Sequence, residues 1–160
     1  MKLQDDLREF VALLNARGVE FIIVGGHAVA FHGYPRFTGD IAFFARPSAQ
    51  NAQRILSVLA EFGFESVGLQ ASDFTAPDKE IQLGRPPNRI DLLTSISGVT
   101  FDEAWASRVA GELDTVDVFF LGRGALLRNK RSSGRPKETA DLDALERDDL
   151  QGPTSTSKPT

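Results

Sequence analysis

The sequence predicts an α+β domain, a mixed twisted β-sheet with flanking helices, on three observations. An apolar stripe of helical period opens the chain at Leu3, Leu7, Phe10, Val11 and Leu14. The apolar run Phe21 to Val24 stops at the pair Gly25 and Gly26 and is followed by a second run, Asp40 to Ala45. Further on, KEIQLGRPPNRIDLLT places two apolar runs around a turn-rich GRPPN. Strands and helices so interleaved suggest a sheet of about five strands with helices packed mainly on one side.

Each element has a local cause. The first helix ends at Gly18, because glycine readily takes the left-handed conformation that closes a helix. Branched and aromatic residues make 21–24 a buried strand, and His27 to Phe31 reads as a short helix. Tyr34-Pro35 reads as a loop, since proline disfavours helix in the residue before it. Ser48 is a candidate N-cap for a helix through Phe62, with Ile55, Val58, Leu59 and Phe62 on one face and Gly63 ending it. Strands are expected near 79–84, 88–93 and 116–121, then helices over about 123–131 and from Pro136 to about Asp148. The domain is expected to span 1–149, with 150–160, LQGPTSTSKPT, too polar to offset the entropy of ordering and therefore disordered.

Composition excludes several function classes. The chain has 160 residues and 41% hydrophobic content, enough for one core. There is no cysteine, which removes disulfide scaffolds, thiolate nucleophiles and cysteine zinc sites. The N-terminal segment carries acids within its apolar pattern, unlike a secretory signal, and no apolar run approaches the roughly 20 residues of a membrane span. A soluble cytoplasmic protein with no membrane partner is the expectation. A net charge of −4 argues against a general nucleic-acid coat.

The segment VGGHAVAFHGYPRFTGDIAFF carries the chemistry. Backbone without side chains at Gly25 and Gly26 can approach phosphates, and the N–H groups of a helix start bind anions. Alternate strand positions share a face, so Asp40 and residue 42, an alanine, stand over one spot. Asp91 in RIDLLT is an acid within an apolar run, costly unless paired or bound to metal.

GGHAVAFHGYPRFTGDI followed by the acid in RIDLL resembles the nucleotidyltransferase superfamily of the DNA polymerase β type. Within it the segment is most similar to the minimal enzymes and to the AbiEii-type and MenT-type toxins of bacterial toxin–antitoxin pairs. The resemblance covers residues 20–95, and GRPKETADLDAL more loosely. It implies that Gly25 and Gly26 hold nucleotide phosphates and that Asp40 and Asp91 are the first and third acids of a site for two Mg²⁺ ions. Ala42 stands where the second acid is expected. Arg36, in G-x-x-R-x-T, matches the family and is read as a phosphate ligand, with pairing to Asp40 as the other reading; Lys137 and Asp141 resemble a basic–acidic helix of the toxins. The implied parent activity is Mg²⁺-dependent transfer of a nucleoside monophosphate from an NTP to a hydroxyl, with Asp91 nearest the attacking oxygen. The acceptor stays open between tRNA, a protein and a small molecule, and a cognate antitoxin is a further implied partner. Because two ions clamp the attacking and leaving oxygens, loss of the bridging acid implies impaired transfer. Asp78 or Glu80 could substitute for it only by swinging in from a loop.

A second signal is RGALLRNKRSSGRPK, six basic side chains without an acid, followed by an acidic stretch. It could meet a triphosphate or RNA, or pair with the acids beside it. His27 and His32 are read as structural, Thr38 as a local hydrogen-bonding residue and Trp105 as a packing anchor rather than a base-stacking platform. Three readings follow: an inactivated transferase, a nucleotide-binding module without turnover, and a plain interaction protein such as half of a toxin–antitoxin pair.

Overall fold

A computed structural model of the chain describes residues 5–34, 40–63, 68–84 and 89–133. Arg36, Thr38, Lys137, Asp141, the helix expected from Pro136 and the tail at 150–160 lie outside the described residues. The elements in order are α1 (Asp5–Ala16), β1 (Phe21–Val24), α2 (Gly26–Phe31), β2 (Asp40–Ala45), α3 (Ala49–Glu61), a 3₁₀ turn (Ala71–Phe74), β3 (Glu80–Leu83), β4 (Arg89–Leu93), α4 (Phe101–Ala106), β5 (Val109–Leu113), β6 (Val116–Phe120) and α5 (Arg123–Ser133).

The strands form one mixed sheet in the order β3-β4-β2-β1-β6-β5. β1 runs antiparallel to β2 and parallel to β6; β2 runs parallel to β4; β3–β4 and β5–β6 are antiparallel hairpins. Among the described residues the sheet has six strands rather than about five. β5, Val-Ala-Gly-Glu-Leu, escapes a sequence reading because Gly, Ala and Glu are poor strand formers. Its hairpin turn, Asp114-Thr115, has both residues at positive φ, 49° and 69°, the two-residue geometry usually marked by Asn-Gly. Arg8 of α1 holds that turn, its Nε donating to the Asp114 carbonyl at 2.9 Å and Nη2 to Thr115 Oγ1 at 2.6 Å.

Helices cover both faces of the sheet, not mainly one. Alternation sends Phe21, Ile23, Ile41, Phe43, Ile90 and Leu92 to a core shared with Leu7, Phe10 and Leu14 of α1 and Ile55, Val58 and Leu59 of α3. The opposite parity sends Ile22, Val24 and Phe44 to a second core with Ala28 of α2, Phe101 of α4 and Leu126 of α5. Each large side chain so buried stabilises the fold by roughly 1.5–3 kcal/mol before entropy is counted. The second face was hidden because α2 and α4 have six residues each, too few to display a period. Among the described residues no helix is long and apolar enough to cross a membrane.

Candidate functional site

The polar cluster stands on the second face, where β1 ends and β2 and β4 begin. β1 stops at Gly25, whose φ of 69° and ψ of −150° lie in a region that essentially only glycine occupies. Its carbonyl then accepts from the amides of Ala28 and Val29 at 3.0 and 3.1 Å, which starts α2. A Cβ built on Gly25 would lie 3.4 Å from the Ala42 methyl, so Ala42 backs directly onto the glycine turn. Parallel pairing sets Asp40 beside Arg89 and Ala42 beside Asp91, and Gln82 lies opposite Asp91 from the other side. Asp40, Ala42, Arg89, Asp91 and Gln82 therefore share one face.

The two carboxylates do not stand alone. Arg89 Nη2 lies 2.7 Å from Asp40 Oδ2, and its Nε lies 3.6 Å from Asp91 Oδ1. One guanidinium thus spans both acids. The fit is unequal: the first contact is an ordinary charge-assisted hydrogen bond, whereas 3.6 Å is too long for one. Arg89 Nε and Asp91 Oδ1 are accordingly buried polar atoms with no hydrogen-bond partner. The Asp91 side chain is 14% exposed, and burial raises its pKa above the usual carboxylate range, opposed by the charge of Arg89 and reinforced by Asp40 and Glu80.

His27, the second residue of α2, packs against the same spot. It is buried, its pKa is lowered by burial against the opposing pull of a hydrogen bond to the Asp40 backbone and of the Asp40 charge, and its Nδ1 has no partner. A buried imidazole tied to the start of β2 positions Asp40 relative to the glycine turn. His32 is likewise structural, its Nε2 lying 2.8 Å from the Leu121 carbonyl, with its pKa lowered by burial.

Asp78 and Glu80 are engaged elsewhere. Asp78 accepts from Ser95 Oγ at 2.8 Å, and Glu80 Oε2 accepts from Gln82 Nε2 at 3.0 Å. Phe101 stacks on Trp105 at 5.6 Å and the Arg108 guanidinium lies 4.0 Å from its ring centre, contacts within the protein that suit a packing anchor. Of the basic stretch, Lys130 is buried and Arg128 lies 3.9 Å from Glu103. A groove of about 740 Å³ lined by Phe21, Trp105, Gly111, Asp117 and Phe119 opens at the other end of β1, away from the acids.

Sequence reasoning missed Arg89. The signal was present, since Arg89 precedes Asp91 by two residues on a strand and alternation puts both on one face. What the sequence lacks is the register that sets Asp40 alongside.

The mixed six-stranded sheet with helices on both faces is that of a nucleotidyltransferase-like fold. A comparison of solved structures agrees: the chain is similar to that of "a putative nucleotidyltransferase" from Thermotoga maritima, with a TM-score of 0.53 over 95% of this chain and 91% of that one. At 14% identity the likeness is one of fold. The sequence matches no protein-family model and no curated protein.

The two-ion arrangement of the resembling family does not fit the residues present. Mg²⁺ demands oxygen ligands near octahedral positions at about 2.0–2.1 Å. Here the bridging position is a methyl group, and one carboxylate is already bonded to an arginine. Among the described residues no group of three or more acids and histidines is placed to hold a metal.

Proposed function

We propose that this chain is a nucleotidyltransferase-fold protein that binds a nucleotide at the Gly25–Gly26 turn and has lost, or nearly lost, transfer of the nucleotidyl group. The observation that carries this reading is Ala42, whose methyl backs onto Gly25 in line with Asp91. Gly25 and Gly26, with the amides that open α2, supply the phosphate contact; Arg36 and Lys137 are the basic side chains assigned to the same ligand through the family resemblance. The parent reaction moves a nucleoside monophosphate from an NTP to a hydroxyl of tRNA, protein or a small molecule. It depends on two Mg²⁺ ions that neutralise charge on the phosphates, and two carboxylates sharing an arginine are a poor substitute for three free ones. A role as a binding partner, including one side of a toxin–antitoxin pair, follows if the nucleotide is held without turnover.

The test pairs binding with transfer. Incubation with α-labelled NTPs, Mg²⁺ or Mn²⁺ and mixed RNA and protein acceptors is expected to give no labelling above an Asp40→Asn/Asp91→Asn control. A fluorescent nucleotide is expected to bind the wild type and to lose at least about tenfold in affinity in Gly25→Val, which fills the turn with a side chain. Labelling that Asp40→Asn abolishes would make the protein an active transferase. Absence of nucleotide binding would leave the fold as a scaffold for protein partners.

A further inference from the structure

Arg89 is the cation among the described residues that touches both Asp40 and Asp91. Its place is set by the backbone, not by a flexible reach: the β2–β4 register puts its Cα beside that of Asp40, and strand alternation aims it to the side Asp91 takes. Two carboxylates held at one spot repel each other, and a cation between them relieves that repulsion whether it is a metal ion or a guanidinium. A guanidinium brings a planar fork that cannot be deprotonated and needs no ligand sphere of its own. Its fixed positive charge also repels any second cation drawn to the same acids.

We propose that Arg89 is a built-in replacement for the divalent ion, a positioning residue that holds Asp40 and Asp91 together and leaves the site indifferent to Mg²⁺ and Mn²⁺. Ala42 and Arg89 then belong to one change: the bridging acid is gone, and a protein cation offsets part of the charge of the two acids that remain. A phosphate ligand arriving at the glycine turn would be taken without its metal. This last consequence rests on the nucleotide reading above; the charge clamp itself does not.

The experiment reads thermal unfolding and Mn²⁺ binding of the full chain. The wild type is expected to melt at the same temperature in EDTA and in millimolar Mn²⁺, and to leave the paramagnetic resonance signal of free Mn²⁺ undiminished. Arg89→Met is expected to melt several degrees lower in EDTA, to regain part of that loss with Mn²⁺, and to bind Mn²⁺ in a way that a further Asp40→Asn abolishes. Should Arg89→Met fail to fold, the neutral triple variant Asp40→Asn/Arg89→Met/Asp91→Asn is expected to fold, because the charges needing a clamp are gone. Mn²⁺ binding by the wild type that Asp40→Asn removes would overturn the proposal. So would an Arg89→Met variant that neither loses stability nor gains Mn²⁺, or a triple variant as unstable as the single one. If nucleotide fails to bind with or without metal while these results hold, the nucleotide reading falls and the clamp stands.

Discussion

At each end of β2 an arginine joins two acids, Arg46 just beyond its last residue and Arg89 of β4 beside its first, and the two clusters are built to different standards. Just past its last residue, Arg46 pairs with Glu20 and donates from Nη1 to Asp102 at 2.8 Å, while its guanidinium lies 4.6 Å from the ring centre of Phe101. One acid there is well hydrated, with the Asp102 side chain 86% exposed, while Glu20 is 38% exposed. At the first residue, Arg89 reaches Asp40 well and Asp91 poorly, leaving a buried atom unpartnered on each side of the longer contact. One cluster is a satisfied surface tie between β1, β2 and α4. The other leaves one buried atom of each partner unsatisfied across its longer contact, a cost the first cluster does not carry.

The largest effect should separate the two arginines directly. Arg89→Met should cost about 2–3 kcal/mol in denaturant unfolding, below the full penalty for stranding a buried charge because its partners are partly hydrated. Arg46→Met should cost about 1 kcal/mol, the sum of weak surface pairs and two cation–π contacts, and should cost less at high salt. Equal losses would erase the distinction.

Asp91→Asn sharpens it further. The folded protein holds the Asp91 proton more tightly than the unfolded chain does, so the stability linked to this group is full at low pH and is lost as pH rises through the raised folded pKa. Relative to wild type, Asp91→Asn should therefore gain stability as pH rises above about 4, the ordinary carboxylate range. A denaturant midpoint that moves the other way would show that the Arg89 contact outweighs burial.

The smallest effect concerns His27. Its folded pKa is lowered, so the unfolded chain takes up the proton first and stability falls as pH drops below about 6.5. His27→Gln should flatten the slope of stability between pH 7 and pH 5, with His32 supplying what remains. An unchanged slope would remove His27 from the support of Asp40.

Much of the scaffold was readable from local chemistry. β1 and β2 begin and end where their branched and aromatic runs do, and Ser48 caps α3 as its position suggests, accepting from the Asn51 amide at 3.2 Å. Failures came where the cause is not local. β5 is a strand because β6 and the Arg8-pinned turn make it one, and α4 is a helix because Thr100 and Glu103 cap it reciprocally over an aromatic anchor, six residues being too few for a period.

By itself, the sequence determined that a glycine turn, Asp40 and Asp91 exist in strand-bound positions and that residue 42 has no acid, because strand parity and side-chain identity are properties of a few consecutive residues. Only the tertiary structure decided what the two acids face. Asp40 and Asp91 are fifty-one positions apart in the chain, and their shared contact with Arg89 depends on the parallel register of β2 and β4. That register is set by which apolar residues are buried on the far face, since a shift of one residue would turn Ile90 and Leu92 outward.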